Sequence, residues 1–178
     1  MRKLFNRTCI AAAVIAVGGL AACQNSQPGP NPGALPVAKL DVTPRLNAST
    51  YVAHGHLLEQ QGNLTEAAEQ YRHALALTPD LLAARNRLGV TLNKLGKHAE
   101  ASEEFRQALA RQPQSAQLHN NLGFSLYLEG RYELAEQELA RAVELQPNFR
   151  RAQMNHGLAL AKLGRYDAAL AAFVLAGS

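Results

Sequence analysis

A repeat of 34 residues runs through the second part of the chain and constrains the fold more than any other feature. Five series of small residues or prolines recur at this step without an insertion. They are Gly55, Gly89, Gly123 and Gly157; Gly62, Gly96, Gly130 and Gly164; Ala67, Ala101, Ala135 and Ala169; Ala74, Ala108, Ala142 and Ala176; and Pro79, Pro113 and Pro147. Such regularity predicts a stack of equal units, each of which buries its apolar face against its neighbours.

The third repeat shows how one unit is expected to fold. Leu118, Leu122 and Leu126 recur every four residues, which is the spacing of one face of a helix. A second set with helical spacing follows, namely Tyr132, Ala135, Leu139 and Ala142. Gly130 lies between the two sets, where a left-handed residue would end the first helix, and Pro147 ends the second. The unit is therefore predicted to be two amphipathic helices packed face to face.

The segment "AQLHNNLGFSLYLEGRYELAEQELARAVELQPN", from Ala116, resembles the consensus of the tetratricopeptide repeat family along its whole length. The resemblance covers residues 48–178. It implies an all-α domain at 47–178, in which four helix–turn–helix units stack into a right-handed α-solenoid. The four predicted units are 48–81, 82–115, 116–149 and 150–178.

In this family the first helix of each unit lines a concave groove that binds partners. The sixth place of the predicted units holds Ala53, Arg87, Asn121 and Asn155. Exposed amides there could bond to an extended peptide backbone, or asparagine could simply be common at this place in the family. The other predicted groove residues are Asn86, Lys94, Asn120, Phe124, Tyr127, Arg151, Leu158 and Lys162. We expect a mildly basic, partly apolar groove that suits a peptide or helix with some acidic character, and we expect Asn121 and Asn155 to face solvent.

Family members that bind chaperone C-termini hold two carboxylates in a clamp. The first unit here has Val52 and His56 where that clamp has a lysine and an asparagine, so the resemblance does not support this ligand.

The sequence indicates no enzyme, metal site or cofactor. His54 and His56 are two residues apart and point to different sides of a helix, so they cannot share a metal ion. His54 and His156 take the place of a leucine in the inner units, which predicts structural roles in atypical terminal repeats. No nucleophile or carboxylate pair has a recognisable catalytic spacing, and no glycine-rich phosphate loop is present.

The N-terminus has the three parts of an export signal. Arg2, Lys3 and Arg7 precede an apolar stretch at 8–20, and two alanines lead into Cys23. The stretch is shorter than the roughly 20 residues of a spanning helix. "LAAC" resembles the lipobox of bacterial lipoproteins, which implies cleavage after residue 22 and a lipid on the Cys23 thiol. The alternative is an ordinary secretory signal that is cut at the same place and leaves a free thiol.

Residues 23–46 are rich in proline and glycine and are predicted to be a tether. In extended form the tether would reach on the order of 70 Å, and we expect it to act as a spacer. The chain has 18 basic and 14 acidic side chains, but three of the basic ones lie in the signal, which leaves 15 against 14. A nucleic-acid partner is therefore not indicated.

The layout of a lipid anchor before tetratricopeptide repeats resembles pilotin-like lipoproteins of type IV pilus systems and the repeat lipoprotein of Tad-type pilus assembly. Similar proteins serve as adaptors for envelope proteases, cell-wall machinery or exopolysaccharide export. The resemblance implies an interaction scaffold of the bacterial envelope. Gln24 after the cysteine implies residence in the outer membrane, facing the periplasm, by the sorting rule of Gram-negative lipoproteins.

The last predicted helix, at 167–176, is apolar on more than one side. Leu170, Phe173, Val174 and Leu175 fall in it, and no charged residue follows Asp167. We expect a second copy or a partner to cover this end. The alternatives are a frayed last helix and a cap beyond residue 178.

Overall fold

The computed structural model describes residues 46–177, which form eight α-helices and no strand. The helices are α1 (Ala48–Gln60), α2 (Leu64–Leu77), α3 (Leu82–Lys94), α4 (His98–Arg111), α5 (Ala116–Leu128), α6 (Tyr132–Leu145), α7 (Arg150–Lys162) and α8 (Tyr166–Gly177). The chain divides into two units, Met1–Thr43 and Pro44–Ser178, and the eight helices belong to the second. The predicted signal peptide, Cys23 and nearly all of the tether lie outside the described residues.

The helices form the four predicted repeats in order. Each odd-numbered helix begins where a unit was expected to begin, at Ala48, Leu82, Ala116 and Arg150. Each first helix packs against the second helix of its own unit, and that second helix packs against the next first helix. The backbones of successive first helices also approach one another closely, whereas those of successive second helices do not in the part of the chain described. The stack therefore curves towards the first helices, and the prediction of an α-solenoid with these helices inside is confirmed.

Close contact within each unit depends on a glycine in the first helix. A Cβ placed on Gly89 would lie 2.6 Å from Cζ of Phe105, and one on Gly123 would lie 2.6 Å from Cγ of Leu139. The four glycines and the side chains they face are Gly55 with Tyr71, Gly89 with Phe105, Gly123 with Leu139, and Gly157 with Phe173. Phe173 thus has the same packing position in its unit as Tyr71, Phe105 and Leu139 have in theirs. The expectation that it forms part of an exposed apolar face is wrong, because its ring packs over Gly157 and beside Ala172.

The turn inside each unit has the expected left-handed residue. Gly130 has φ 79°, and its equivalents in the other three units also have positive φ. The two helices can therefore reverse direction without the strain that a side chain would meet in this conformation.

A side chain in the fourth place of each later unit ties its first helix to the preceding linker. The side chains lie within hydrogen-bond distance of the carbonyl oxygen of the proline that ends the unit before. The pairs are Arg85 with Pro79 at 2.7 Å, His119 with Pro113 at 3.0 Å and Gln153 with Pro147 at 2.6 Å. This recurring contact satisfies a carbonyl that the helix ladder leaves unpaired.

The outer face of α8 is apolar and exposed. Leu170, Val174 and Leu175 are 64%, 62% and 57% exposed, as the sequence led us to expect. None of the described helices is both long and apolar enough to cross a membrane.

Candidate functional site

The predicted groove residues lie on three consecutive first helices that contact one another. On α7 they are Arg151, Asn155, Leu158 and Lys162, whose spacing of four, three and four residues keeps them on one face. On α5 they are Asn120, Asn121, Phe124 and Tyr127, and on α3 they are Asn86, Arg87 and Lys94. We call the inner surface of the first helices the groove.

A cavity of about 400 Å³ opens in the groove between α3, α5 and α7, and we call it the groove pocket. Six of the residues predicted from the sequence line it, namely Lys94, Asn120, Asn121, Phe124, Arg151 and Asn155. Four further lining residues were missed, namely Val90, Asn93, Phe105 and Leu128. Val90 could have been predicted from the 34-residue repeat, because it is the equivalent of Phe124 and Leu158. The pocket therefore combines apolar side chains with amides and two cations.

The other predicted residues lie beside the groove pocket. Asn86 and Arg87 line a separate depression of about 420 Å³ with residues of α1. The Tyr127 ring stacks on Phe124 at 6.4 Å between centroids and contacts Tyr132 at 5.6 Å. The Lys162 ammonium lies 5.9 Å from the centroid of the Tyr132 ring, in a cation–π contact. Sequence reasoning placed Tyr132 in the packing face of its helix and missed this contact.

The asparagines of the groove bond to one another across the repeats. Asn155 donates from Nδ2 to Oδ1 of Asn120 at 2.9 Å, and Asn120 donates to Asn121 at 3.2 Å. Asn121 in turn donates to Asn86 at 2.9 Å. Asn120 is 1% exposed, and Asn121 and Asn155 are half-buried, so the expectation that the last two simply face solvent is wrong. The chain of amides links the second, third and fourth units.

A nearly buried carboxylate neutralises the cations at the other end of the groove. The Glu59 side chain is 5% exposed and accepts hydrogen bonds from Nζ of Lys94 at 2.6 Å and from the Tyr71 hydroxyl at 3.1 Å. A guanidinium nitrogen of Arg87 lies 3.6 Å from it. The Lys94 and Arg87 side chains are about half exposed, so both cations are partly solvated while they neutralise this carboxylate.

The environment of Glu59 keeps it ionised. Burial alone would raise the pKa of this carboxyl. The hydrogen bonds from Lys94 and Tyr71, together with the nearby positive charges, outweigh burial and hold the pKa below its ordinary value of 4.5. Burial and the adjacent carboxylate raise the pKa of Tyr71, which therefore stays a neutral donor.

The cations on α7 have no such partner. Every arginine in residues 46–177 other than Arg151 lies within ion-pair or hydrogen-bond distance of an acidic side chain or a backbone carbonyl. Arg151 is exposed and makes no such contact with any described residue. Lys162 has its tyrosine contact and no acidic partner in the same range.

Charge divides between the two layers of the solenoid. The four first helices carry six basic side chains and one acidic one, the partnered Glu59. The four second helices carry four basic and ten acidic side chains. The layer of first helices is therefore positive and the layer of second helices negative.

The terminal histidines contact second helices. The His54 ring lies 3.2 Å from Oε1 of Gln70, and the His156 ring lies 3.2 Å from Oε1 of Glu136. No cluster of three or more metal-ligating side chains occurs among residues 46–177.

A curved stack of helix pairs with a groove along its inner surface is typical of α-solenoid proteins that bind partners in that groove. Comparison with known proteins identifies the family. The Tetratricopeptide repeat family profile matches residues 52–116, 92–148 and 125–176, so the chain belongs to the tetratricopeptide repeat family. No curated protein matches the chain significantly.

Solved structures of the same fold include several named MamA. MamA 41-end from Desulfovibrio magneticus RS-1 is 20% identical, with 73% of each chain covered and a TM-score of 0.69. Another MamA crystal structure is 23% identical, with 73% of this chain and 76% of that chain covered and a TM-score of 0.68. MamA AMB-1 is 22% identical, with coverage of 74% and 78% and a TM-score of 0.64. At these identities the likeness concerns the fold alone.

Proposed function

We propose that this protein is a membrane-anchored interaction scaffold of the bacterial envelope, which holds a peptide or helix of a partner protein in its groove. Tetratricopeptide repeat proteins typically bind other proteins, and this one belongs to that family. The single observation that carries the proposal is the groove pocket, which spans three repeats and combines apolar side chains with Arg151, a cation that has no partner among the described residues.

The anchor is the lipid proposed for Cys23. The "LAAC" segment and the charged and apolar stretches before it support export and lipidation. By the sorting rule, Gln24 supports the outer membrane. Residues 23–46 would then hold the solenoid near the membrane while leaving its groove accessible.

The process we propose is assembly of a pilus or secretion complex. The support is the resemblance of this layout to pilotin-like and Tad-type repeat lipoproteins. An adaptor role for an envelope protease, for cell-wall machinery or for exopolysaccharide export is the second possibility, and genes adjacent to this one would discriminate between the two.

Two measurements test the proposal. The first compares the full chain with its Cys23→Ser variant after membrane fractionation and a salt wash. Because the proposed anchor is the thiol lipid, the variant should leave the membrane fraction, and continued sedimentation with membranes would contradict the anchor.

The second measurement identifies the partner by affinity capture of the full chain from envelope extract after cross-linking. Leu158→Glu places a charge in the groove, and Gln137→Glu places the same charge on the exposed outer side of α6. A groove-bound partner should be lost with Leu158→Glu and kept with Gln137→Glu. Equal capture by both variants would contradict binding in the groove.

A further inference from the structure

We infer that the groove pocket binds a peptide segment in which an apolar side chain lies next to a carboxylate, with the side chain seated among Val90, Phe124 and Leu128 and the carboxylate bound by Arg151. This inference rests on the proposed function and adds the chemistry and orientation of the ligand.

The size and lining of the pocket favour a side chain as its occupant. Its volume of about 400 Å³ lies near the lower end of the roughly 300–1,000 Å³ found for small-ligand sites. Val90, Phe124 and Leu128 supply its accessible apolar lining, and Phe105 adjoins it while fully buried beneath Gly89. An aromatic or branched aliphatic side chain would gain most from these contacts.

The pattern of ion pairs shows where a negative charge would bind. The carboxylate of Glu59 already neutralises Lys94 on the α3 side of the pocket, at 2.6 Å. Arg151 lies on the α7 side and makes no ion pair or hydrogen bond within residues 46–177. A guanidinium presents a planar fork of donors that matches a carboxylate in two hydrogen bonds. The acidic group of the ligand is therefore directed towards α7.

Two further features support the same orientation. Lys162 lies three helical turns beyond Arg151 on the same face of α7 and also has no acidic partner among the described residues. The acidic second helices cover the outer surface, so an acidic peptide is drawn to the inner one.

The experiment selects ligands from a displayed library of random twelve-residue peptides on the immobilised full chain. The enriched peptides should carry a net negative charge and an aromatic or aliphatic residue beside an aspartate or glutamate. Fluorescence anisotropy then measures the affinity of one enriched peptide. Arg151→Glu should weaken its binding by about tenfold or more. Arg106→Glu makes the same change on the outer helix α4 and should leave binding unchanged.

The outcomes separate this inference from the proposed function. Selection of neutral or basic peptides, or equal affinity of the Arg151→Glu variant, overturns the inference. If Leu158→Glu still abolishes binding in that case, the groove remains the binding surface and the proposed function stands. If neither groove variant alters binding, or if no peptide is selected, both fail. Arg151 is exposed and makes no ion pair or hydrogen bond with a described residue, so the variant should fold, which a thermal melt checks.

Discussion

Glu59→Gln should lower the stability of the solenoid and at the same time strengthen binding of acidic peptides. The Glu59 carboxylate is 5% exposed and holds α1 and α2 to α3 through Tyr71, Lys94 and Arg87. Glutamine has nearly the same shape, but it carries no charge and turns an N–H towards these donors. The change therefore removes the charge of the carboxylate and leaves the packing almost intact.

The magnitude follows from the partners that are lost. A hydrogen bond to a charged group contributes about 1.5–3 kcal/mol, and the cations here are about half exposed and can be solvated instead. We expect a loss of about 1–3 kcal/mol at neutral pH, which lowers the melting temperature by about 3–10 °C for a domain of this size. Lys94 and Arg87 then become available to a ligand, and an acidic peptide should bind about twofold to fivefold more tightly.

The pH dependence gives a second signature of the same contact. The pKa of Glu59 is lowered in the folded protein. The ionised carboxylate therefore contributes its full share of the folding stability above the ordinary pKa of 4.5, and this share is lost as the pH falls through the lowered pKa. The stability difference between the wild type and Glu59→Gln should therefore narrow below about pH 4.5.

The matched control is Glu100→Gln. Glu100 pairs with Arg72 at 3.2 Å and Lys97 at 3.3 Å, and all three side chains are about half exposed. Such surface pairs contribute at most about 1 kcal/mol. Thermal melts across pH and anisotropy with an acidic peptide measure both effects. Two results would refute the conclusion that the buried Glu59 carboxylate stabilises the fold through its ion pairs. One is equal destabilisation by the two variants, and the other is a stability difference between the wild type and Glu59→Gln that does not change with pH.

Five further variants test the packing. Gly89→Ala should cost about 1–3 kcal/mol in urea unfolding, because its Cβ would meet the buried Phe105 ring at 2.6 Å. Gly177→Ala, with open space around it, should cost nothing, and equal effects would refute the close contact. Asn120→Ala should cost about 1–3 kcal/mol because it breaks the chain of amides, and an unchanged melt would show that the chain adds no stability. Phe173→Glu should destabilise the last unit by about 3 kcal/mol or more, whereas Leu170→Glu should leave the melt unchanged and, if the exposed face of α8 joins two copies, should yield a monomer in light scattering.

The periodicity of the sequence was sufficient to predict the helices and their stacking. Each unit was expected to start at the residue where its first helix starts, because a repeat without insertions fixes the same boundary four times. The last helix was expected at 167–176 and is found at Tyr166–Gly177. The place of Phe173 could have been read from the same step, since Tyr71, Phe105 and Leu139 precede it at 34-residue intervals.

The contacts between units were harder to predict. The hydrogen bond from Asn121 to Asn86 joins residues that are 35 apart, which is one more than the repeat length. It therefore depends on the angle between adjacent units. The pairing of Glu59 with Lys94 has the same separation and occurs in the first two units only, because the later units have Asn93 and Tyr127 where the first has Glu59. Sequence reasoning therefore counted Lys94 as a free donor, whereas the structure shows it paired.

The most direct test of a binding groove on the first helices is site-specific photo-cross-linking of the full chain in its own cells. A photoreactive amino acid replaces Leu158, which is 37% exposed in the groove, or Gln137, which is exposed on the outer helix α6. We predict that the photoreactive residue at position 158 gives a discrete cross-linked product, and that Arg151→Glu lowers the yield of this product. The photoreactive residue at position 137 should give no cross-linked product. A partner that cross-links from Gln137 and not from Leu158 would contradict the account.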